Sequence, residues 1–202
     1  MKTIKYLNKN ITPSKVICVG RNYVEHIKEL NNEVPSSMVL FNKPNSAITE
    51  SLQYIQEDCR FEGEICFLIK DKMIEGIGFG LDLTKAVIQN QMKDKGLPWE
   101  RAKAFDKSAV ISEFVKLDGD ITTLEMQLYI NQVLTQHATY ELMIYKPNRI
   151  LDEILSFMSL EDGDIIMSGT PKGVATYQKD DIFLAKIYID NKLVINKEFI
   201  VK

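Results

Sequence analysis

Phe61-Glu62-Gly63-Glu64-Ile65-Cys66-Phe67-Leu68-Ile69, followed beyond Asp71-Lys72 by Gly76-Ile77-Gly78-Phe79-Gly80-Leu81-Asp82, is the stretch on which the reading of this chain turns. The first run is rich in β-formers and partly alternating, so it reads as a strand. A hairpin through Asp71-Lys72 returns the second, Gly-rich run beside it. Strand alternation points Glu62 and Glu64 to one face, with Cα atoms about 6.6 Å apart. The return delivers Asp82 to the same end of the sheet. Two carboxylates this close to an apolar run repel each other and resist desolvation. Three readings are open: a solvated strand face, a pair sharing one proton, or carboxylates ionised around a cation. Three carboxylates without sulfur or imidazole would form a hard-oxygen site, suited to Mg2+ or Mn2+ and poorly suited to Zn2+. Asp82 can equally cap the helix after it, and the two roles are compatible.

Outward from this stretch, most segments read as strands. Lys15–Gly20 and Met38–Phe41 are short apolar runs. Met126–Ile130 and Val133–Thr139 form a hairpin across Asn131-Gln132, and Ile182–Ile189 with Leu193–Val201 another around Asp190-Asn191-Lys192. Three helices interrupt them. One is capped by Asn22 and runs to about Leu30, ended by Asn31-Asn32; the second spans Thr84–Lys95 and stops at Gly96; the third spans Ile150–Met158. Strands and helices do not alternate regularly, which argues against a doubly wound parallel sheet. The expectation is one domain over residues 1–202, compatible with a small N-terminal appendage over about 1–14.

The 202 residues carry a net charge of −3, and their Lys and Arg are spread along the chain. Without a basic stripe, a nucleic-acid partner is not expected. Asn8, Lys9 and Asn10 fall where a signal peptide needs an apolar run, and no apolar stretch approaches the roughly 20 residues needed to span a bilayer. A soluble, cytoplasmic protein is expected, with no membrane partner. The three cysteines, Cys18, Cys59 and Cys66, match no zinc spacing and read as reduced thiols, with Cys18 and Cys66 packed in apolar runs. Only His26 and His137 are present, which argues against a histidine-built metal site. Gly76, Gly78 and Gly80 are no dinucleotide fingerprint, because the third Gly of G-x-G-x-x-G would fall at Leu81.

Two further constellations bear chemistry. In Gly20–Leu30, Arg21 follows a strand and opens a helix, a favourable place for an anion. His26 and Glu29, three apart, share a helix face. That pair is either a surface contact or a general base whose second nitrogen a glutamate orients. In Asp164–Gly173 a strand ends in Gly169-Thr170-Pro171, whose amides and hydroxyl can hold a carboxylate; it can equally be a plain turn.

Taken together, VGRNYVEHIKEL (19–30), FNKP (41–44), FEGEI (61–65), GLDLT (80–84), GLPWERAKAFD (96–106) and SGTPKGV (168–174) resemble the fumarylacetoacetate hydrolase family, in the family's order over most of the chain. The resemblance is to its short acylpyruvase and oxaloacetate decarboxylase-like members. It implies an α+β, β-rich fold: a mixed β-roll or barrel-like sandwich of the family's C-terminal domain type, with few short helices and assembled as a homodimer. It places Glu62, Glu64 and Asp82 as Mg2+ (or Mn2+) ligands, His26 with Glu29 as the water-activating pair, and Lys103 as the neutraliser of charge developing on substrate. Arg21, Gln89, Gly169 and Thr170 fall at substrate-contacting positions, with Lys43 a neighbour of the site. Three departures stand out. Ala86 and Val87 replace the family's Arg-Asp, Ala175 and Gln178–Asp181 replace a Gly and a Pro-Gly-Asp turn, and at 202 residues the N-terminal domain of the large members is not expected.

The resemblance implies an enzyme that cleaves the C–C bond of an acylpyruvate-type 2-oxo acid. Cleavage would leave an enolate whose charge the metal and Lys103 neutralise, with oxaloacetate decarboxylation or tautomerisation as companion activities. The alternative enzyme is an isomerase or decarboxylase of a longer unsaturated 2-oxo diacid of aromatic-compound breakdown, resembling 2-hydroxyhepta-2,4-diene-1,7-dioate isomerase. The alternative outside catalysis is a metal-binding protein without turnover. The distal part of a ligand would meet the variable segments Asn31–Ser37 and Val174–Asp181.

Overall fold

The computed structural model describes residues 1–29 and 36–202. Near the N-terminus, β1 (Ile4–Tyr6) and β2 (Lys9–Ile11) form a hairpin. β3 (Lys15–Gly20), α1 (Val24–Glu29), β4 (Val39–Pro44) and β5 (Ile48–Thr49) follow. The decisive stretch folds as β6 (Cys59–Phe61), β7 (Gly63–Lys70) and β8 (Met73–Asp82). Then come β9 (Thr84–Lys85), α2 (Ala86–Asp94), α3 (Glu100–Lys103), β10 (Ala109–Ile111) and β11 (Val115–Lys116). β12 (Glu125–Ile130), β13 (Val133–Thr139), α4 (Pro147–Leu155), β14 (Ile165–Met167), β15 (Ala175–Thr176), β16 (Ile182–Ile189) and β17 (Lys192–Ile200) complete the chain.

The main sheet has eight strands, ordered β4-β3-β14-β7-β8-β10-β5, with β11 also paired to β8. It is mixed: β14 runs parallel to β3 and β10 parallel to β5, while the other pairs are antiparallel. A four-stranded antiparallel sheet, β13-β12-β16-β17, packs against one face, and a three-stranded sheet, β15-β6-β9, lies at the edge of the site. The architecture is β-rich with few helices, as the strand pattern implies, and it is the mixed roll that the family resemblance implies. Both faces of the main sheet are buried. Ile17, Val19, Ile65, Phe67, Ile69 and Phe79 join Leu128, Phe183 and α4 residues Ile150 and Ile154 in one core. Val16, Cys18, Cys66, Leu68 and Met167 form a second core, closed by Ile4 and Tyr6 of the N-terminal hairpin. That explains why Ile65–Ile69 is continuously apolar rather than cleanly alternating.

The expected hairpins occur, and their turns show why those residues serve. Asp71 and Lys72, Asn131 and Gln132, and Asp190 and Asn191 all take positive φ, the two-residue geometry that matches strand twist. The strand expected to run unbroken from Phe61 to Ile69 breaks at Glu62. Phe61 pairs with Ala175, whereas Gly63 pairs with Leu81, so the chain changes sheets at that residue. The helix expected from Thr84 begins at Ala86, because Thr84 and Lys85 pair as a strand with β6. Its C-terminal Gly96 has φ +60°, as a helix-ending glycine should. α4 starts earlier than expected, at Pro147, a residue whose fixed φ suits the first turn. Of the first expected helix, Leu30, Asn31 and Asn32 lie outside the described residues. All three cysteines are free and buried. No helix among the described residues is long and apolar enough to cross a membrane.

Candidate functional site

Glu64 stands opposite Gly80 in the β7–β8 ladder, and Asp82 ends β8 on the same face. Glu62 lies in the break between β6 and β7, held in register because Asp82 N–H donates to Glu62 C=O at 2.9 Å. One carboxylate oxygen from each of Glu62, Glu64 and Asp82 falls within 4.8 Å of the others. Glu64 and Asp82 are buried, and the Glu62 side chain is 12 % exposed. The solvated-face reading therefore does not hold. Nor does Asp82 cap α2; the distant Asp58 takes that role, its Oδ2 accepting from Val87 N–H at 3.0 Å.

Two buried lysines face the cluster. Lys103 Nζ, from α3, lies 2.9 Å from Glu62 Oε2, 2.7 Å from Asp82 Oδ2 and 2.6 Å from Thr84 Oγ1. Lys43 Nζ, from β4, lies 2.8 Å from Asp82 Oδ1 and also donates to the Lys103 carbonyl. Lys43 is fully buried behind Asp82 and does not line the cleft. Burial, with Asp82 and Glu62 beside it, pushes the Glu64 carboxyl well above the usual carboxylate range. Burial would push Glu62 the same way, but Lys103 and His26 outweigh it and hold Glu62 low. The Lys103 ammonium is raised because the charges of Asp82 and Glu62 outweigh its desolvation.

These residues fit a divalent ion on chemical grounds. The donors are all hard oxygens, and the two lysines leave one of three negative charges unmatched when all are ionised. Among the described residues, Asp82 Oδ1 is buried without an aligned hydrogen bond despite its lysine neighbour.

A cleft of about 30 Å³ adjoins the cluster, lined by Arg21, His26, Glu62, Gln89 and Lys103, with Phe41, Trp99 and Lys93 among its walls. The His26 side chain is only 7 % exposed, and its Nδ1 lies 3.3 Å from Glu29 Oε2. Glu29 Oε1 in turn accepts from Gly173 N–H at 3.0 Å, tying α1 to the Gly-Thr-Pro turn. Arg21 takes φ +59°, uncommon for a side-chain-bearing residue. Gly169 N–H donates to Glu64 Oε2 at 2.6 Å, and Thr170 Oγ1 donates to Gly63 C=O at 2.9 Å. Both groups thus hold the carboxylate strand.

The cap expected of Asn22 is replaced by a different job. Asn22 is buried; its Nδ2 donates to Ser168 C=O at 2.7 Å and its Oδ1 accepts from Tyr145 N–H at 2.6 Å, joining two chain segments. Four further residues contribute to the site. Thr84 donates to Glu62 Oε1 at 2.8 Å, Lys93 and Trp99 form a cleft wall with Nζ 5.4 Å from the ring centroid, and Gln136 reaches the site from the second sheet. Thr84 lies within the GLDLT motif, but a helix start masked it. Gln136 has no local signal.

Residues 15–192 match the family described as fumarylacetoacetate (FAA) hydrolase C-terminal. The chain is 37 % identical over 187 residues to the oxaloacetate tautomerase YcgM of Escherichia coli (strain K12), covering 83 % of this chain and 85 % of the relative. It is 35 % identical over 194 residues to the mitochondrial oxaloacetate tautomerase oaa1 of Schizosaccharomyces pombe (strain 972), covering 86 % and 88 %. A crystal structure of a fumarylacetoacetate isomerase/hydrolase-type protein from Oleispira antarctica superposes with a TM-score of 0.93 at 32 % identity, covering all of both chains.

Proposed function

We propose that this chain, which belongs to the fumarylacetoacetate hydrolase family, interconverts the enol and keto forms of a small 2-oxo acid of the oxaloacetate type. The observation that carries the reading is the convergence of Glu62, Glu64 and Asp82 within 4.8 Å beside a cleft containing His26 and Lys103. The two tautomerase relatives support the reaction. Glu62, Glu64 and Asp82 would hold Mg2+ or Mn2+, which when bound supplies Lewis-acid polarisation of the 2-oxo carbonyl.

The chain's own residues do the rest. Arg21 and Gln89, on the cleft wall, orient the acid. Glu29 holds His26 Nδ1 and so leaves Nε2 to take the proton from C3 and hand it to O2, giving the enol, or to carry it from O2 to C3 in the reverse direction. As that C–H bond breaks, its electron pair forms the C2–C3 double bond and negative charge moves to O2. Lys103 lies beside that developing charge. Removal of a proton from carbon needs no attacking water.

The second reading, acylpyruvate hydrolysis, is favoured by the intact His26–Glu29 pair, which can equally activate water. Both are tested by following oxaloacetate tautomerisation and acetylpyruvate cleavage with added Mg2+, with chelator, and in Glu64→Ala and His26→Ala. Tautomerisation that disappears with chelator and in Glu64→Ala, with little acetylpyruvate cleavage, supports the first reading. Efficient acetylpyruvate cleavage that vanishes in His26→Ala supports the second. Mn2+ binding without turnover of either compound would leave a metal-binding protein.

A further inference from the structure

Gly63, between two of the three carboxylates, makes its backbone hydrogen bonds in an unusual way. Its N–H donates to Gln136 Oε1 at 2.9 Å, and its C=O accepts from Thr170 Oγ1 at 2.9 Å. Two side chains thus take the place of a neighbouring strand. Gln136 closes the arrangement into a ring, because its Nε2 donates to Thr170 Oγ1 and to Pro171 C=O, each at 2.9 Å. The next residue of that turn on the N-terminal side, Gly169, donates to Glu64 Oε2. Gln136 is 1 % exposed and sits on β13, in the sheet that carries none of the carboxylates. A Cβ at residue 63 would lie 2.7 Å from Gln136 Oε1. The amide therefore comes this close only because the residue between the two glutamates is glycine.

We infer that Gln136 is a positioning residue for the cation site: it sets the backbone that aims Glu62 and Glu64, and thereby the affinity for a divalent ion. The inference rests on reading Glu62, Glu64 and Asp82 as ligands of that ion. Its physical basis is that groups behind metal ligands fix their orientation, and losing one typically weakens metal binding about 10–100-fold. A buried glutamine that served packing alone would affect folding stability and leave ion affinity untouched.

The test is a Mn2+ titration of the substrate-free, chelator-stripped full chain, with free ion followed by electron paramagnetic resonance and melting recorded on the same samples. Gln136→Met and Thr170→Val are each expected to weaken Mn2+ binding about tenfold or more. The double variant should be no weaker than the weaker single one, because both break one ring. Thr170→Ser, which keeps the hydroxyl, should bind as wild type does. Ile154→Val, in the core contributed by α4, provides a melting-point loss remote from the site and should leave affinity unchanged. Should Gln136→Met fail to fold, Thr170→Val against Thr170→Ser carries the comparison. Wild-type affinity in Gln136→Met or Thr170→Val overturns the inference, as does equal loss in Thr170→Ser or a loss in Ile154→Val that tracks its melting point. If wild type binds no Mn2+, the cation-site reading itself fails and takes this inference with it.

Discussion

Lys103 meets two carboxylates and lines the cleft as well. Its ammonium neutralises Glu62 and Asp82 at 2.9 and 2.7 Å. During proton transfer, the same charge would lie beside the oxygen that becomes negative. Lys103→Ala should therefore reduce turnover by about 10²–10³, the usual cost of one lost stabilising donor of about 2.7–4 kcal/mol. Mn2+ affinity should rise in the same variant, since a competing cation has gone. Parallel loss of turnover and affinity would instead make Lys103 a structural support. Glu64 is the complementary case. Burial and two neighbouring carboxylates disfavour its charge, so a divalent ion held at the proposed site would relieve repulsion that folding leaves in place.

At the scale of the strand pair, glycine makes room for the site. Gly80 lies opposite Glu64, and a Cβ there would meet Cys66 Sγ at 2.7 Å and Met167 Cε at 2.9 Å. Gly80→Ala should destabilise the protein by about 1–3 kcal/mol, the usual cost of overpacking a core. Urea denaturation measures this, and an unchanged midpoint would mean that β8 and β14 shift freely. The Gly-rich rhythm of β8, which resembles a nucleotide loop at first sight, is thus a packing feature beneath a carboxylate cluster. Helices act here as carriers. α1 brings His26 and Glu29, and α3 brings Lys103, yet neither is long enough to be stable alone. Their placement depends on Gly173 holding Glu29 and on the carboxylates holding Lys103.

For the whole molecule, Asp164 is the polar anchor. Its buried carboxylate accepts from Ser14 N–H and Oγ at 2.9 and 2.7 Å and from Glu161 N–H at 2.9 Å, and it pairs with Lys15 Nζ at 2.5 Å. Burial alone would raise its pKa, but the hydrogen bonds from Lys15, Glu161 and Ser14 hold it below the ordinary aspartate value. A folded-state pKa below the unfolded value of about 3.9 means that this stabilisation is complete above that pH and disappears as pH falls through the folded value. Asp164→Asn should be less stable at pH 7 by about 1–3 kcal/mol, as expected for lost hydrogen bonds to a buried charge. The gap should close as both proteins are taken into acid below pH about 4. A gap that stayed constant down to low pH would assign the effect to packing.

Much of this protein is decided by local chemistry that the sequence displays. Turn residues that accept positive φ place the three long hairpins, and the continuously apolar Ile65–Ile69 run fits a strand covered on both faces. Glu-x-Glu with Asp82 beyond a hairpin sets three hard oxygens at one sheet end, because strand period and turn length are properties of neighbouring residues. The break at Glu62, the start of α2 at Ala86 and the tie between Gln136 and Gly63 were decided only by the tertiary structure. Each depends on a partner far along the chain: Ala175 and Leu81 on either side of Glu62, Asp58 for α2, and a side chain 73 residues away for Gly63. Hydrogen bonds of that kind carry no periodicity, so they form only once the two sheets have brought their donors and acceptors together.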